Sequence, residues 1–176
     1  LNRYSIRIFN ALRYARASAG DEFIPWDPFF FPLDGLDQWN RLYGRRGFLQ
    51  YQFVLPHDTA TRVLPEIMGE IASSAETSFL AVLKTLGKGG GLLSFPMPGV
   101  TLALDFPVSG GIFSLLDRLD RLVVDGGGRL YLAKDARQRP ETFEASYPNL
   151  PMFREHRRAI GAEGRLASML SKRIAI

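Results

Sequence analysis

The stretch 48–74, FLQYQFVLPHDTATRVLPEIMGEIASS, decides the fold, because its hydrophobic period changes at Pro56. Before Pro56, alternating side chains predict a strand over 48–55. After it, Asp58 is a typical helix N-cap, and a helix is predicted to run to about residue 74. Its inward stripe consists of Val63, Leu64, Ile67 and Ile71. A strand followed directly by an amphipathic helix is the first half of a β-α-β unit.

The segments that follow repeat this alternation of periods. In order, they are predicted as a strand (79–86), a glycine turn (88–91), a strand (101–106), a helix (113–124) and a strand (129–133). The order βαββαβ is the ferredoxin-like split unit, an α+β fold with an antiparallel sheet and both helices on one face. The opposite face of the sheet is left free to bind a ligand or a partner.

Both flanks of this unit are predicted to be mainly helical. Residues 1–19 have an amphipathic helical pattern that ends at Gly20. The strap, residues 22–33, holds three prolines and five aromatics, and we predict that it is extended and lies on a surface. The tail, 138–176, is predicted to form short helices that fold back as a cover: 141–146, 151–157 and 166–174. The domain itself is predicted to span 34–176.

The composition excludes several classes of protein. With 176 residues, 46% hydrophobic and 23% charged, the chain fits one soluble globular domain. No apolar run reaches the roughly 20 residues of a membrane helix, and no signal-peptide pattern is present. The net charge of +4 is scattered and predicts no partner. Because the first residue is leucine, we expect a processed product, a trimmed chain or a fragment of a longer protein.

Cysteine is absent, so neither disulfides nor thiolate metal sites can form. This agrees with a reducing compartment, and we predict a cytoplasmic location. His57 and His156 are the only histidines; we interpret them as a turn residue and a surface-helix residue, and predict no metal site.

Polar residues interrupt two otherwise apolar strands. Gln50 and Gln52 lie on one face of the first strand, either as pocket residues or as the solvent side of an edge strand. Lys134 follows the last strand, either to meet an anion or to pair in solvent with Asp135. Strict alternation would turn Lys134 away from Tyr131 unless the strand ends early or contains a bulge.

Residues 46–53, RGFLQYQF, are similar to the aromatic octamer of RNA-recognition modules, which share this topology. That octamer belongs on the third strand, whereas here it falls on the first. The predicted third strand, 101–106, also lacks stacking aromatics and basic residues. We therefore predict no nucleic-acid binding.

A wider resemblance covers most of the chain after Phe30. The blocks FFPLDGLDQWNRLYGRRGFLQYQFVLP, SFLAVLKTLG, LLSFPMPGVTLALDFP, GGRLYLAKDAR and SMLSKRI resemble, in this order, the C-terminal substrate (cap) domain of bacterial FAD-linked oxidases of the vanillyl-alcohol oxidase type. The resemblance implies an oxidoreductase acting on an alcohol carbon of a sugar-like or phosphate-bearing substrate. The FAD would be held mainly by a flavin-binding domain, in the same or a partner chain, that is missing from these residues. This chain alone is then expected to be inactive.

The same resemblance implies individual roles. Lys134 would be the catalytic residue, lying beside the flavin, with Tyr131 contacting both cofactor and substrate. Substrate would also meet Gln50, Gln52, Lys84, Thr101 and Ala103, with Lys84 as the phosphate contact. Thr101 and Ala103 stand where the family pattern has asparagine and cysteine, so the substrate is expected to differ.

Three further expectations complete the interpretation. Neither 89–91 nor 126–128 can replace the flavin phosphate loop, since neither follows a strand and opens a helix. Residues 34–47 have the composition of a cap that closes over substrate. Asp105 could orient a pocket group, but an acid at a strand end more often satisfies backbone donors, which is the interpretation we expect. The alternative function is a non-enzymatic ferredoxin-like module that binds a ligand or protein on its free sheet face.

Overall fold

The fold was analysed in a computed structural model that describes residues 3–17, 20–31, 34–35 and 37–176. Its elements are, in chain order, α1 (Arg3–Ala15), α2 (Trp26–Phe30), a 3-10 turn (Trp39–Tyr43), β1 (Phe48–Pro56), α3 (His57–Ser73), β2 (Ala81–Leu86), β3 (Gly99–Pro107), α4 (Ile112–Asp125), β4 (Arg129–Leu130), a second 3-10 turn (Leu132–Lys134), α5 (Pro140–Ser146), α6 (Leu150–Ala159) and α7 (Met169–Arg173).

The strands form one sheet in the order β2-β3-β1-β4, with every neighbouring pair antiparallel. This order places β1 and β3 in the centre and gives α3 and α4 one common face. It confirms the predicted α+β fold and its ferredoxin-like connection.

The main core lies between the sheet and the two helices. Alternation along β1 buries Tyr51, Phe53 and Leu55 on the helical side, together with the stripes of α3 and α4. Gly128 makes this packing possible, because a Cβ atom there would lie 2.4 Å from the carbonyl oxygen of Val54. The strand side chains that do not point toward α3 and α4 lie on the opposite face of the sheet, here called the open face.

A second, smaller core joins the C-terminal tail to the β4 edge. It is formed by Phe143, Tyr147, Leu150 and Ile174. The Tyr147 hydroxyl is buried with them and donates a 2.6 Å hydrogen bond to the carbonyl oxygen of Leu130. The three predicted tail helices are present as α5, α6 and α7.

Three predictions about local structure were wrong. Helix α3 begins at His57 with Pro56 at its N-cap, so Asp58 lies in the first turn of the helix and does not cap it. The fourth strand ends at Leu130 rather than Ala133, and a 3-10 turn replaces its second half. The strap is not extended throughout, since 26–30 form a helical turn with Pro25 at its N-cap, a position that needs no amide hydrogen. Nor do its described side chains lie against a surface: Phe23, Trp26 and Phe30 are 105%, 68% and 68% exposed. Residues 32 and 33 of the strap, and residues 1, 2, 18 and 19 of the predicted first helix, lie outside the described residues.

No helix within the described ranges is both long and apolar enough to cross a bilayer. Those same ranges contain no cluster of three or more His, Asp or Glu side chains placed to hold a metal ion.

Candidate functional site

The open face carries a row of polar side chains across its centre. Gln50 lies opposite Asp105, and Gln52 lies opposite Ala103. Thr101 is flanked by Val54 of β1 on one side and Lys84 of β2 on the other. Because partners in an antiparallel pair point to the same face, these side chains share one surface. The structure thus brings together the predicted pocket residues of β1 and β3.

Lys134 reaches this surface because the fourth strand stops early. Tyr131 still donates its backbone N–H to the Gln52 carbonyl oxygen at 2.8 Å, and the following 3-10 turn is closed by Lys134 N–H to the Tyr131 carbonyl oxygen at 3.0 Å. Beside this turn, a small cavity of about 10 Å³, enough for one water molecule, is lined by Gln50, Gln52, Tyr131 and Lys134. Tyr51 and Leu116 of the main core and Arg137 also line it, so it lies at the edge of β1. Because residues 132–134 form a turn, strand alternation no longer decides to which side the Lys134 side chain points.

The Lys134 ammonium has no ion pair with the carboxylates that the structure describes. The alternative pairing with Asp135 is not formed, because the Asp135 carboxylate instead accepts from Arg173 at 2.7 Å and from the backbone N–H groups of Arg137 and Gln138. Lys134 is only partly exposed. The Lys134 charge acts on the buried Asp105 carboxylate without forming an ion pair with it, so the ammonium can still receive an anionic ligand.

Asp105 forms the floor beside Gln50. Its side chain is 3% exposed and accepts hydrogen bonds from Gln50 Nε2 at 3.1 Å and, more weakly, from the Tyr43 hydroxyl at 3.4 Å. Burial raises the pKa of Asp105, although the bond from Gln50 and the charge of Lys134 oppose that rise. Burial, and then the neighbouring Asp105 charge, raise the pKa of Tyr43 far above its ordinary value. The expectation that Asp105 serves backbone donors is therefore wrong, since its described donors are side chains.

Thr101 is 2% exposed, and its hydroxyl is fully used inside the protein. It donates to the Phe53 carbonyl oxygen at 2.7 Å and accepts from Gln52 Nε2 at 3.1 Å. Thr101 thus holds the Gln52 side-chain amide through a hydrogen bond from a buried position. Thr101 is therefore buried beneath the open surface, and its predicted substrate contact stays a prediction.

A buried charge network holds the segment that carries Lys134. Arg137 pairs with Asp120 of α4 at 2.7 Å and with Asp117 at 2.9 Å. The Tyr51 hydroxyl donates to Asp120 at 3.0 Å. Burial raises the pKa of Asp120, and the Arg137 charge opposes that rise. The network ties residues 135–138 to the helical layer, and sequence reasoning missed it.

Aromatic pairs border the open face at two ends. Tyr43 stacks on Phe48 with ring centroids 4.4 Å apart, which anchors the end of the predicted cap to the sheet. Phe95, from the β2–β3 loop, stacks on Tyr131 at the same spacing. The polar row lies between these two ring pairs.

The remaining candidates lie at the margin. Lys84 is exposed on the edge strand and does not line the small cavity. Ala103 is a small side chain in register between Gln52 and Val82, and it does not line the cavity either. His57 and His156 are both exposed, at the start of α3 and within α6, away from the polar row.

Comparison with known proteins gives a clear relationship. The chain is 43% identical over 149 residues to decaprenylphosphoryl-β-D-ribose oxidase of Mycolicibacterium smegmatis, a match covering 84% of this chain and 32% of that protein. It is 36% identical over 146 residues to a Streptomyces coelicolor protein described only as uncharacterized and encoded in the 5′ region of mprA, covering 82% of this chain and 40% of that protein. No protein-family model matches the chain. The chain spans roughly a third of the length of these relatives. The predicted relationship to oxidases is thus confirmed, and the chain is a homologue of part of decaprenylphosphoryl-β-D-ribose oxidase.

Proposed function

We propose that this chain is the C-terminal substrate-binding domain of an FAD-dependent oxidoreductase that oxidises an alcohol carbon of a sugar-like or phosphate-bearing substrate. The observation that carries the proposal is the half-buried Lys134 ammonium, which lacks a described ion pair and lies beside two glutamines on the open face. The similarity to a ribose-derivative oxidase over most of the chain gives this arrangement its chemical meaning.

The residues present fit a flavin, because the half-buried Lys134 ammonium has no described ion pair and is the kind of group that stabilises a reduced isoalloxazine ring. A bound FAD would supply the acceptor for the hydride that leaves the alcohol carbon. Lys134 would stabilise the negative charge that develops, and the Arg137–Asp120 pair holds the segment carrying Lys134. Tyr131, stacked on Phe95, would present its ring to the cofactor and substrate.

The substrate would lie across Gln50 and Gln52, with Ala103 leaving room beneath it. Lys84, exposed at the edge of the same face, would meet a phosphate that extends over β2. The domain would begin near residue 34, and the cap over 34–47 would close over the substrate, with its C-terminal end anchored by the Tyr43–Phe48 stack.

A flavin-binding domain, in the same or a partner chain, is part of this proposal. The strap supports it, because Phe23, Trp26, Phe29 and Phe30 are between 63% and 105% exposed and form an apolar surface suited to another protein domain. Without that domain we expect the 176 residues to bind no flavin and to be catalytically inactive.

The test uses the complete polypeptide that carries this domain, with a short-chain isoprenylphosphoryl-β-D-ribose as the probe substrate. The purified protein should be yellow, and Lys134→Ala should slow anaerobic flavin reduction by about a hundredfold or more. Lys88→Ala, an exposed lysine in the β2–β3 loop, is the matched control and should change little. Reduction of the Lys134→Ala flavin at the unaltered rate would contradict the role of Lys134.

The second candidate is a non-enzymatic binding module. It is favoured by one observation, namely that the open face with its polar row is complete within these residues. A colourless complete protein that binds an anionic ligand through this face would support the module over the oxidase.

A further inference from the structure

The hydrogen-bond partners of Gln50 and Gln52 fix which end of each amide faces the open side. An amide side chain offers two N–H donors at one end and a carbonyl acceptor at the other. Which end points at a ligand decides which chemical groups can be recognised. In both glutamines the neighbours on β3 determine the answer.

At Gln52 the determinant is Thr101. A threonine hydroxyl has a single hydrogen, and Thr101 donates it to the Phe53 carbonyl oxygen at 2.7 Å. Toward Gln52 the hydroxyl can then only accept, so it requires the Nε2 end, found at 3.1 Å. Since Thr101 is 2% exposed, solvent does not compete for it. The Oε1 atom of Gln52 is left pointing outward.

At Gln50 the determinant is Asp105. An ionised carboxylate can only accept, and Asp105 receives Gln50 Nε2 at 3.1 Å. The Tyr43 hydroxyl points at the other carboxylate oxygen, at 3.4 Å. Among the described residues, neither Gln50 Oε1 nor Gln52 Oε1 accepts a hydrogen bond. The two free acceptors stand on the same strand two residues apart, hence about 7 Å between their Cα atoms.

We propose that Thr101 and Asp105 are positioning residues that make the open face a pair of carbonyl acceptors, so that it binds two hydroxyl donors of one sugar ring. This inference deepens the proposed function by naming the recognised groups. Two cations, Lys134 and Arg137, line the small cavity. Arg137 is paired with Asp117 and Asp120, so the Lys134 ammonium is the one that would contact the flavin or an anionic group of the substrate.

The orientation is tested by NMR on the 176-residue chain, without flavin or substrate. The Gln52 side-chain amide protons should exchange slowly with water, remain slow in Thr101→Ser, and exchange about tenfold faster in Thr101→Val. Thr85→Val, an exposed position on the opposite side of the same sheet, is the matched control and should leave them unchanged. Equal exchange in Thr101→Val and the unaltered chain overturns the assignment. If Thr101→Val does not fold, a nuclear Overhauser effect between the Gln52 amide protons and the Thr101 methyl group in the unaltered chain decides it, and its absence overturns the assignment.

The recognised groups are tested with the complete polypeptide and isoprenylphosphoryl-β-D-ribose analogues in which one ring hydroxyl is replaced by hydrogen or fluorine. Fluorine cannot donate a hydrogen bond but accepts weakly. At each recognised hydroxyl, both replacements should therefore weaken binding by about tenfold relative to the parent sugar. In Thr101→Val, this loss should disappear at one of the two hydroxyls. Fluorine analogues that bind as well as the parent overturn the acceptor assignment.

The outcomes separate the two proposals. Binding of none of these sugars overturns the ligand class, while the NMR result still decides the amide orientation. A complete protein without flavin overturns the oxidase proposal and leaves both other measurements standing.

Discussion

Removal of the Arg137 guanidinium should destabilise the domain in a pH-dependent way. The Arg137 and Asp120 side chains are 11% and 5% exposed and joined at 2.7 Å, so Arg137→Ala leaves a buried carboxylate without its cation. Breaking such a pair costs about 3–5 kcal/mol. The Tyr51 hydroxyl still donates to Asp120 at 3.0 Å, so we expect the lower end, about 3 kcal/mol at pH 7.

The sign of the pH dependence follows from Asp120. Burial already raises its pKa in the folded protein, and loss of the Arg137 charge removes the largest opposing influence. For an acid whose folded pKa exceeds the unfolded one, stability is fully present below the unfolded pKa and is lost as pH rises through the folded pKa. The cost of Arg137→Ala should therefore shrink toward pH 4, by about 1.4 kcal/mol for each pKa unit of further rise.

Urea unfolding of the 176-residue chain at pH 7 and pH 4 measures this directly. With a slope near 2 kcal/mol per molar urea, the midpoint at pH 7 should fall by about 1.5 M. Arg118→Ala, which breaks an exposed pair with Glu70, is the matched control and should cost less than about 1 kcal/mol at either pH. A loss under 1 kcal/mol for Arg137→Ala, or an equal loss at both pH values, would refute the reasoning.

Three further predictions concern the borders of the site. Tyr43→Ala should lower the free energy of unfolding in urea by about 3 kcal/mol, because it removes the buried stack on Phe48. Tyr43→Phe loses only a long hydrogen bond and should lower it by less than about 1 kcal/mol. Equal losses in the two variants would contradict this. Lys84→Ala in the complete polypeptide should raise the KM for isoprenylphosphoryl-β-D-ribose several-fold with little change in kcat, and a fall in kcat alone would argue against a binding role. Deletion of residues 36–45 should weaken substrate affinity and slow turnover, and unchanged values of both would eliminate the cap.

The elements with strong periodicity were predictable, and those set by distant contacts were not. The switch at Pro56 and the stripe of Val63 and Ile67 fixed β1 and α3 because burial enforces those periods. The early end of β4 had no local signal, since 129–133 alternates as a strand would. Its turn is instead favoured by tail contacts such as the bond from Tyr147 to Leu130.

The candidate site divides in the same way. The sequence located Gln50, Gln52 and Lys134, because polar residues on apolar strands stand out. It offered Asp105 as a residue that could orient a pocket group, but it did not identify Gln50 as its partner or Thr101 as the partner of Gln52, since both depend on the cross-strand register of β1 and β3. Nor did it reveal Arg137, whose partner Asp120 lies on α4 and has no fixed spacing from it.

The brevity of β4 makes the position of the ammonium adjustable. In a continuing strand, one inserted residue would transfer every later side chain to the other face of the sheet. Here the sheet pairing has ended at Leu130, so a change of length within the 132–134 turn would re-register no strand pair, while Tyr131 and Arg137 stay held by β1 and α4. The lysine is thus carried on a short turn held at both ends, and its position depends on the length of that turn and not on the register of the sheet.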